Sequence, residues 1–146
     1  MAKQPIDFWF FIGSMYTYLS VMRLPELAKR TGTAFRWRPF SVRDIMIEMD
    51  NRPLSKPLKL AYMWRDIGRR AGMYGLCPRL PATYPIPEFD LANRIAVVGE
   101  REGWASDYIR SIYCLWFEEG RDLSIPDLCD ALRRVGVAPE ATLATA

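Results

Sequence analysis

The sequence contains no histidine. That absence excludes His-ligated zinc sites, Ser-His-Asp triads and Cys-His nucleophiles together. Cysteine is scarce: Cys77, Cys114 and Cys129 are odd in number, widely spaced and never form a Cys-x-x-Cys pair. Neither a disulfide framework nor a thioredoxin-type redox couple is expected from them. They read as small apolar residues of a chain kept in a reducing cytoplasm. Long apolar runs are also lacking. The longest begins at Phe8 and is broken by Gly13 and Ser14, well short of the roughly 20 residues that cross a bilayer. Its flanks show no basic segment and no small-residue cleavage site, so a secretory signal is not expected. No internal repeat is visible. What remains is 146 residues, half of them apolar, 25% charged and 13% aromatic. That describes one globular domain with enough surface to bury a core unaided.

Charge is unevenly spread. Residues 1–80 carry 14 Lys/Arg against 6 Asp/Glu, a net +8, and residues 81–146 carry 6 against 11, a net −5. A basic half suits an anionic small ligand or a nucleic acid. It lacks an arginine-rich helix with interleaved polar base-readers, so no nucleic-acid partner is expected.

The hydrophobic pattern divides the chain in two. Ile6–Ile12 is a short, β-prone apolar run ending in Gly-Ser, which predicts a strand buried on both faces. From Ser14 the stripe Met15, Tyr18, Leu19, Met22 predicts a helix. Pro25 restarts it, and Gly32 ends it after Lys29-Arg30. Ala34–Arg38 alternates as a strand with one face in the core, stopped by Pro39. Strand, helix, strand at this spacing predicts a right-handed βαβ unit over about residues 6–40. A helical block follows over about 42–136. It comprises a short helix over Val42–Met49, a loop over Asp50–Pro57, and a helix with the stripe Leu60, Met63/Trp64, Ile67, Ala71. Gly72–Pro87, with four prolines and two glycines, predicts an irregular connection. Two further stripes, Phe89 to Gly99 and Trp104 to Trp116, precede a helix over Ser124–Val135 with Ser124 as N-cap, and Ala138–Ala146 opens another. Two parallel strands make a poor sheet by themselves.

Ser14 stands where the first strand meets the first helix. Backbone N–H groups there are unpaired, and a hydroxyl can add a donor to hold an oxyanion or a thiolate. With no histidine to act as base, donor rather than nucleophile is the chemical reading. A plain helix N-cap fits the same pattern.

Residues 6–20, Ile-Asp-Phe-Trp-Phe-Phe-Ile-Gly-Ser-Met-Tyr-Thr-Tyr-Leu-Ser, resemble the opening of the 2-hydroxychromene-2-carboxylate isomerases. These group with the kappa-class glutathione transferases in the DsbA-like branch of the thioredoxin fold. The similarity continues through Trp37-Arg38-Pro39-Phe40 and Asn51-Arg52-Pro53-Leu54, then Lys59, Tyr62-Met63, Arg65-Asp66 and Arg69. It reaches Glu119-Gly120-Arg121-Asp122 with Pro126. The resemblance implies an α/β, thioredoxin-like (DsbA/kappa-class) fold with a large helical insertion. It implies glutathione as cofactor and conversion of 2-hydroxychromene-2-carboxylate to trans-o-hydroxybenzylidenepyruvate, an aromatic-degradation step. Ser14 then takes the place of the serine that hydrogen-bonds the glutathione sulfur. Asn51 and Lys59 match positions that contact glutathione or the acidic substrate, and Tyr62 is a candidate for the site wall. A homodimer in the cytoplasm is the expected assembly.

Two departures qualify the match. Met15 stands where the family has a proline. The family's last segment, two antiparallel strands with a cis-proline turn and a final helix, has no counterpart here. The whole of residues 1–146 is therefore expected to be one domain whose sheet is incomplete. Alternatives left open are a kappa-type transferase, and a shortened relative acting through association.

Overall fold

The computed structural model describes residues 4–51 and 56–146. Alternation at the amino terminus produces β1 (Ile6–Phe10), and the run Phe35-Arg36-Trp37-Arg38-Pro39 produces β2. The two are parallel, with Ile6 opposite Phe35 and Phe10 opposite Pro39. Between them lie α1 (Met15–Val21) and α2 (Leu24–Thr31). Pro25 occupies the first turn of α2, where its missing N–H costs nothing. Gly32 closes that helix at φ 64°, the left-handed conformation that glycine adopts without strain.

The rest is helical: α3 (Arg43–Glu48), α4 (Pro57–Met73), α5 (Phe89–Glu102) and α6 (Ala105–Tyr113), then α7 (Ile125–Arg134) and α8 (Pro139–Thr145). The last turn of α6 widens into a π turn over Cys114–Glu118, marked by Glu119 N–H bonding Cys114 C=O at 2.9 Å. The extra residue brings Trp116 and Phe117 to one side with Tyr113. Tyr18 stacks on Phe117 with ring centroids 4.4 Å apart. Together with Ile67, Ile95, Ile109 and Ile112 these rings form the core. At the start of α7 the Asp127 carboxylate accepts from both the backbone N–H and the hydroxyl of Ser124, at 3.1 Å each, as the capping signal predicts. None of the helices among the described residues is long and apolar enough to cross a membrane.

Two expectations are corrected. The strand expected over Ile6–Ile12 ends at Phe10 and is not buried on both faces: Trp9 is 62% exposed. One face packs Phe8 and Phe10 against Trp37, while the other holds Asp7 between Arg36 and Arg38, with Arg38 reaching Glu100 of α5 at 2.6 Å. The residues of that face meet solvent, one another and Glu100. All three cysteines are free: Cys77 is exposed, while Cys114 and Cys129 are half-buried. Of the Asp50–Pro57 loop, Pro57 already opens α4, and Arg52, Pro53 and Leu54 lie outside the described residues.

In the parallel ladder Ile6 N–H bonds Ala34 C=O and Phe40 N–H bonds Phe10 C=O. This parity turns the N–H and C=O groups of Asp7 and Trp9 away from β2, toward the other edge of β1.

Candidate functional site

The turn joining β1 to α1 is set by residues far away in sequence. Gly13 adopts φ +126°. A Cβ added there would sit 2.7 Å from the Phe11 ring, so the turn needs glycine on both counts. Asn93, buried on α5, treats Ile12 as a strand neighbour would. Its carbonyl accepts the Ile12 N–H at 2.9 Å, and its amide donates to Ile12 C=O at 2.7 Å and Phe89 C=O at 2.7 Å. Tyr113, fully buried in α6, shares its O–H between Phe11 C=O and Ser14 C=O, both at 3.1 Å. Burial drives the Tyr113 phenol pKa far above its ordinary range, so it stays a donor.

Ser14 sits at the N-cap of α1 with extended backbone, φ −91° and ψ 120°. The position matches the N-cap reading, but the role does not: its hydroxyl makes no capping bond. Its N–H goes to Phe11 C=O at 3.1 Å and its C=O accepts from Thr17 N–H and Tyr113 O–H. Every backbone group of the residue is therefore committed, while the half-buried hydroxyl has no partner among the described residues. That leaves a held, uncommitted donor at the head of a helix.

Two residues on, the Tyr16 O–H donates to the Asp66 carboxylate at 2.9 Å, and Asp66 also takes the Arg70 guanidinium at 2.9 Å. This ties the first turn of α1 to the middle of α4. Burial, with the bond to Asp66, pushes the Tyr16 phenol up to about 12. The same bond, then Arg70, holds the Asp66 carboxyl below its ordinary value. Lys59 and Tyr62 lie one to two turns earlier on the face of α4 that carries Asp66, because residues three, four and seven apart align. Lys59 Nζ donates to the Asn51 side-chain carbonyl at 2.6 Å, so those two predicted residues are brought together. Asp50, at φ 46°, turns the chain out of α3 to place Asn51 there. Tyr62 is 62% exposed, hence not a packing residue. No hydrogen bond among the described residues joins any of the three to Ser14. Arg65, Arg69 and Arg70 are exposed, as expected of surface charge.

Sequence reasoning missed Asn93 and Tyr113. An asparagine between Ala92 and Ile95 on an otherwise apolar helix face was the available signal, since buried polar groups are there to be bonded. It also missed a cluster around Arg43, the first residue of α3. That guanidinium lies over the Phe89 ring at 3.7 Å. Phe89 in turn meets Phe11 edge-on at 6.0 Å. Tyr84, from the irregular segment, meets Trp64 edge-on at 6.4 Å. Burial raises the Tyr84 phenol pKa, and the Arg43 charge acts against that rise.

Known proteins share this fold. Two curated relatives are named 2-hydroxychromene-2-carboxylate isomerase. The one from Sphingobium xenophagum is 28% identical over 111 residues, 74% of this chain and 55% of its own length. The one from Pseudomonas putida is 33% identical over 82 residues, 54% of this chain and 40% of its own. The chain thus spans about half the length of the curated relatives it matches. A solved structure of a selenomethionine 2-hydroxychromene-2-carboxylate isomerase superposes with a TM-score of 0.79 at 23% identity. That match covers 95% of this chain and 69% of the other, which establishes the shared fold. Residues 5–146 match the family model described as DSBA-like thioredoxin domain: the chain belongs to the DSBA-like thioredoxin domain family.

Proposed function

We propose that the chain carries the glutathione-binding part of an isomerase acting on 2-hydroxychromene-2-carboxylate, with the Ser14 hydroxyl stabilising the glutathione thiolate. The observation that supports this most is the state of Ser14: backbone fixed by Phe11, Thr17 and Tyr113, hydroxyl free. The names of the relatives support the same reading.

The residues present fit a thiol tripeptide. It offers one sulfur, peptide amides and carboxylates. Against these the chain sets a hydroxyl donor, the Asn51 amide and the Lys59 ammonium, the last two already in contact. Bound glutathione supplies a sulfur nucleophile that adds reversibly to the conjugated ring and is recovered unchanged. Ser14 lowers the thiol pKa by donating to the charged form, which needs no base and so suits a chain without histidine. Asn51 pairs with peptide groups, which need both a donor and an acceptor. Lys59 places a point charge by a carboxylate. Tyr62 walls the exposed side. Assembly as a homodimer and a cytoplasmic location belong to the same proposal.

The test is isothermal titration of reduced glutathione into the purified chain, followed by turnover of the chromene carboxylate. Binding in the micromolar to millimolar range is expected. Ser14→Ala should lower turnover at least about tenfold, the loss of one charge-assisted hydrogen bond. Absence of binding, or an unchanged rate in Ser14→Ala, would overturn the proposal. Net consumption of glutathione would make the chain a transferase.

A further inference from the structure

The half-buried Arg38, on the outer face of the sheet, is given two carboxylates, Asp7 at 3.3 Å and Glu100 at 2.6 Å. Arg110, half-buried on α6, is given none. It enters no ion pair or hydrogen bond among the described residues. Its Nε is closed to solvent and still lacks an acceptor. The residues outside the description, 1–3 and 52–55, contain no acid that could serve. Taking a cationic donor out of water without an acceptor costs free energy, which a bound anion would restore.

The Arg110 side chain lines a cavity of about 260 Å³. Leu24, Pro25 and Ala28 of α2 form one wall, and Phe35 and Trp37 of β2 another. Apolar walls around one cation are the usual make-up of a small-ligand pocket, in which the polar group orients an apolar body. The volume lies just below the drug-sized range of about 300–1,000 Å³ and suits one or two rings. Ser106, one turn before Arg110, adds a hydroxyl that no described residue occupies. Asp107 also stands at the rim, but it is exposed and forms no ion pair with Arg110. Water and salt screen its charge.

This cavity is separate from the Ser14 turn. Phe35 pairs with Ile6 at the first rung of the ladder, and Ser14 follows Phe10, at the last. Those rungs are four residues, about 13 Å, apart. On α6, Tyr113 reaches Ser14 C=O, while Ser106 lies about two turns, or about 10 Å, earlier.

We propose that the cavity between α2, β2 and α6 binds a small planar aromatic carboxylate, with its carboxylate on Arg110 and its ring against Phe35, Trp37 and α2. The site does not depend on the glutathione or isomerase reading.

The probes are 2-naphthoate, its neutral isostere 2-naphthamide, and acetate, each titrated calorimetrically into the whole chain. The wild type should bind 2-naphthoate one to one and 2-naphthamide at least about tenfold more weakly, the loss of a charge-assisted hydrogen bond. Acetate, which brings charge without a ring, should not bind over the same range. Arg110→Gln should weaken 2-naphthoate at least about tenfold and leave 2-naphthamide unchanged, and Arg110→Lys should recover part of the loss. Asp107→Asn should tighten 2-naphthoate by removing a like charge from the rim. The proposal is overturned if the wild type binds no 2-naphthoate, or binds 2-naphthamide equally well. A change of less than about twofold in Arg110→Gln overturns it as well. So does weaker binding in Asp107→Asn, since the carboxylate rather than the guanidinium would then hold the ligand. Loss of 2-naphthoate in Lys59→Gln, with Arg110→Gln unaffected, would place the ligand on the Ser14 side and refute the cavity. If Arg110→Gln melts early, Ala28→Leu decides. It keeps the cation, fills the cavity from α2 and should abolish 2-naphthoate binding; retained binding refutes the site.

Discussion

Replacing Asn93 by leucine keeps the side chain's approximate volume and removes three hydrogen bonds at once. Two of them serve Ile12, whose N–H and C=O have no other partner among the described residues, and the third serves Phe89 C=O, which lies on the same helix. A buried polar group left unpaired costs about 1–3 kcal/mol, and an orphaned N–H costs more than an orphaned carbonyl. The two Ile12 groups together therefore cost about 3–4 kcal/mol, the Phe89 carbonyl adding little. Against a total stability of about 5–15 kcal/mol this is a large fraction. The midpoint should fall by roughly 6–16 °C for a chain of this size. Asn93→Asp sharpens the test. Its carboxylate still accepts from Ile12 N–H but cannot donate to either carbonyl and faces both of them with a charge. It should be less stable than Asn93→Leu at neutral pH, and should recover as pH falls and the acid regains a proton to donate. Urea unfolding followed by tryptophan fluorescence measures all three proteins. A loss below about 1 kcal/mol in Asn93→Leu, the scale of an ordinary surface change, would refute the role assigned to the amide. So would an Asn93→Asp variant whose stability ignores acid.

Gly13→Ala should destabilise by about 1–3 kcal/mol from left-handed strain alone; calorimetric melting should show at least that loss, because the new Cβ also meets the Phe11 ring. Tyr113→Phe should cost about 1–2 kcal/mol by denaturant titration, having deprived Phe11 C=O and Ser14 C=O of their shared donor. The Tyr16–Asp66 pair sets a pH window. The Asp66 carboxyl is held below its ordinary 3.8, so its contribution is complete above that value and lost as acid protonates the folded form. The Tyr16 phenol is raised from 10.0 to about 12, so its contribution fades as pH rises between those values. A Tyr16→Phe variant should flatten both limbs of the stability curve, and unchanged limbs would count against the pairing.

Much of the frame could be read from residue order because its causes are local. Pro25 in a first turn, Gly32 at a helix end and Ser124 with Asp127 at a cap each act within a few residues. The position of Ser14 was legible for the same reason, since a β-run changes to a helical stripe there. What holds its backbone was not, because Tyr113 reaches Ser14 C=O from 99 residues away. Asn93 and Ile12 are 81 apart, and Arg43 meets Phe89 across two helices. The solvation of β1's outer face also escaped the sequence: an aromatic run reads as buried until Asp7 is seen between two arginines.

The turn that holds Ser14 is built late in the chain's own history. During synthesis the strand and turn emerge first, yet the side chains that hydrogen-bond the backbone of the turn come from α5 and α6. Until Asn93 and Tyr113 have been made and packed, Gly13 and Ser14 belong to a loose loop. The site thus inherits the cooperativity of the helical core and none of the independence of a local hairpin. In amide exchange, the Ile12 N–H should open no more readily than the core helices themselves, so its protection reports the integrity of the whole fold from a position beside the chemistry.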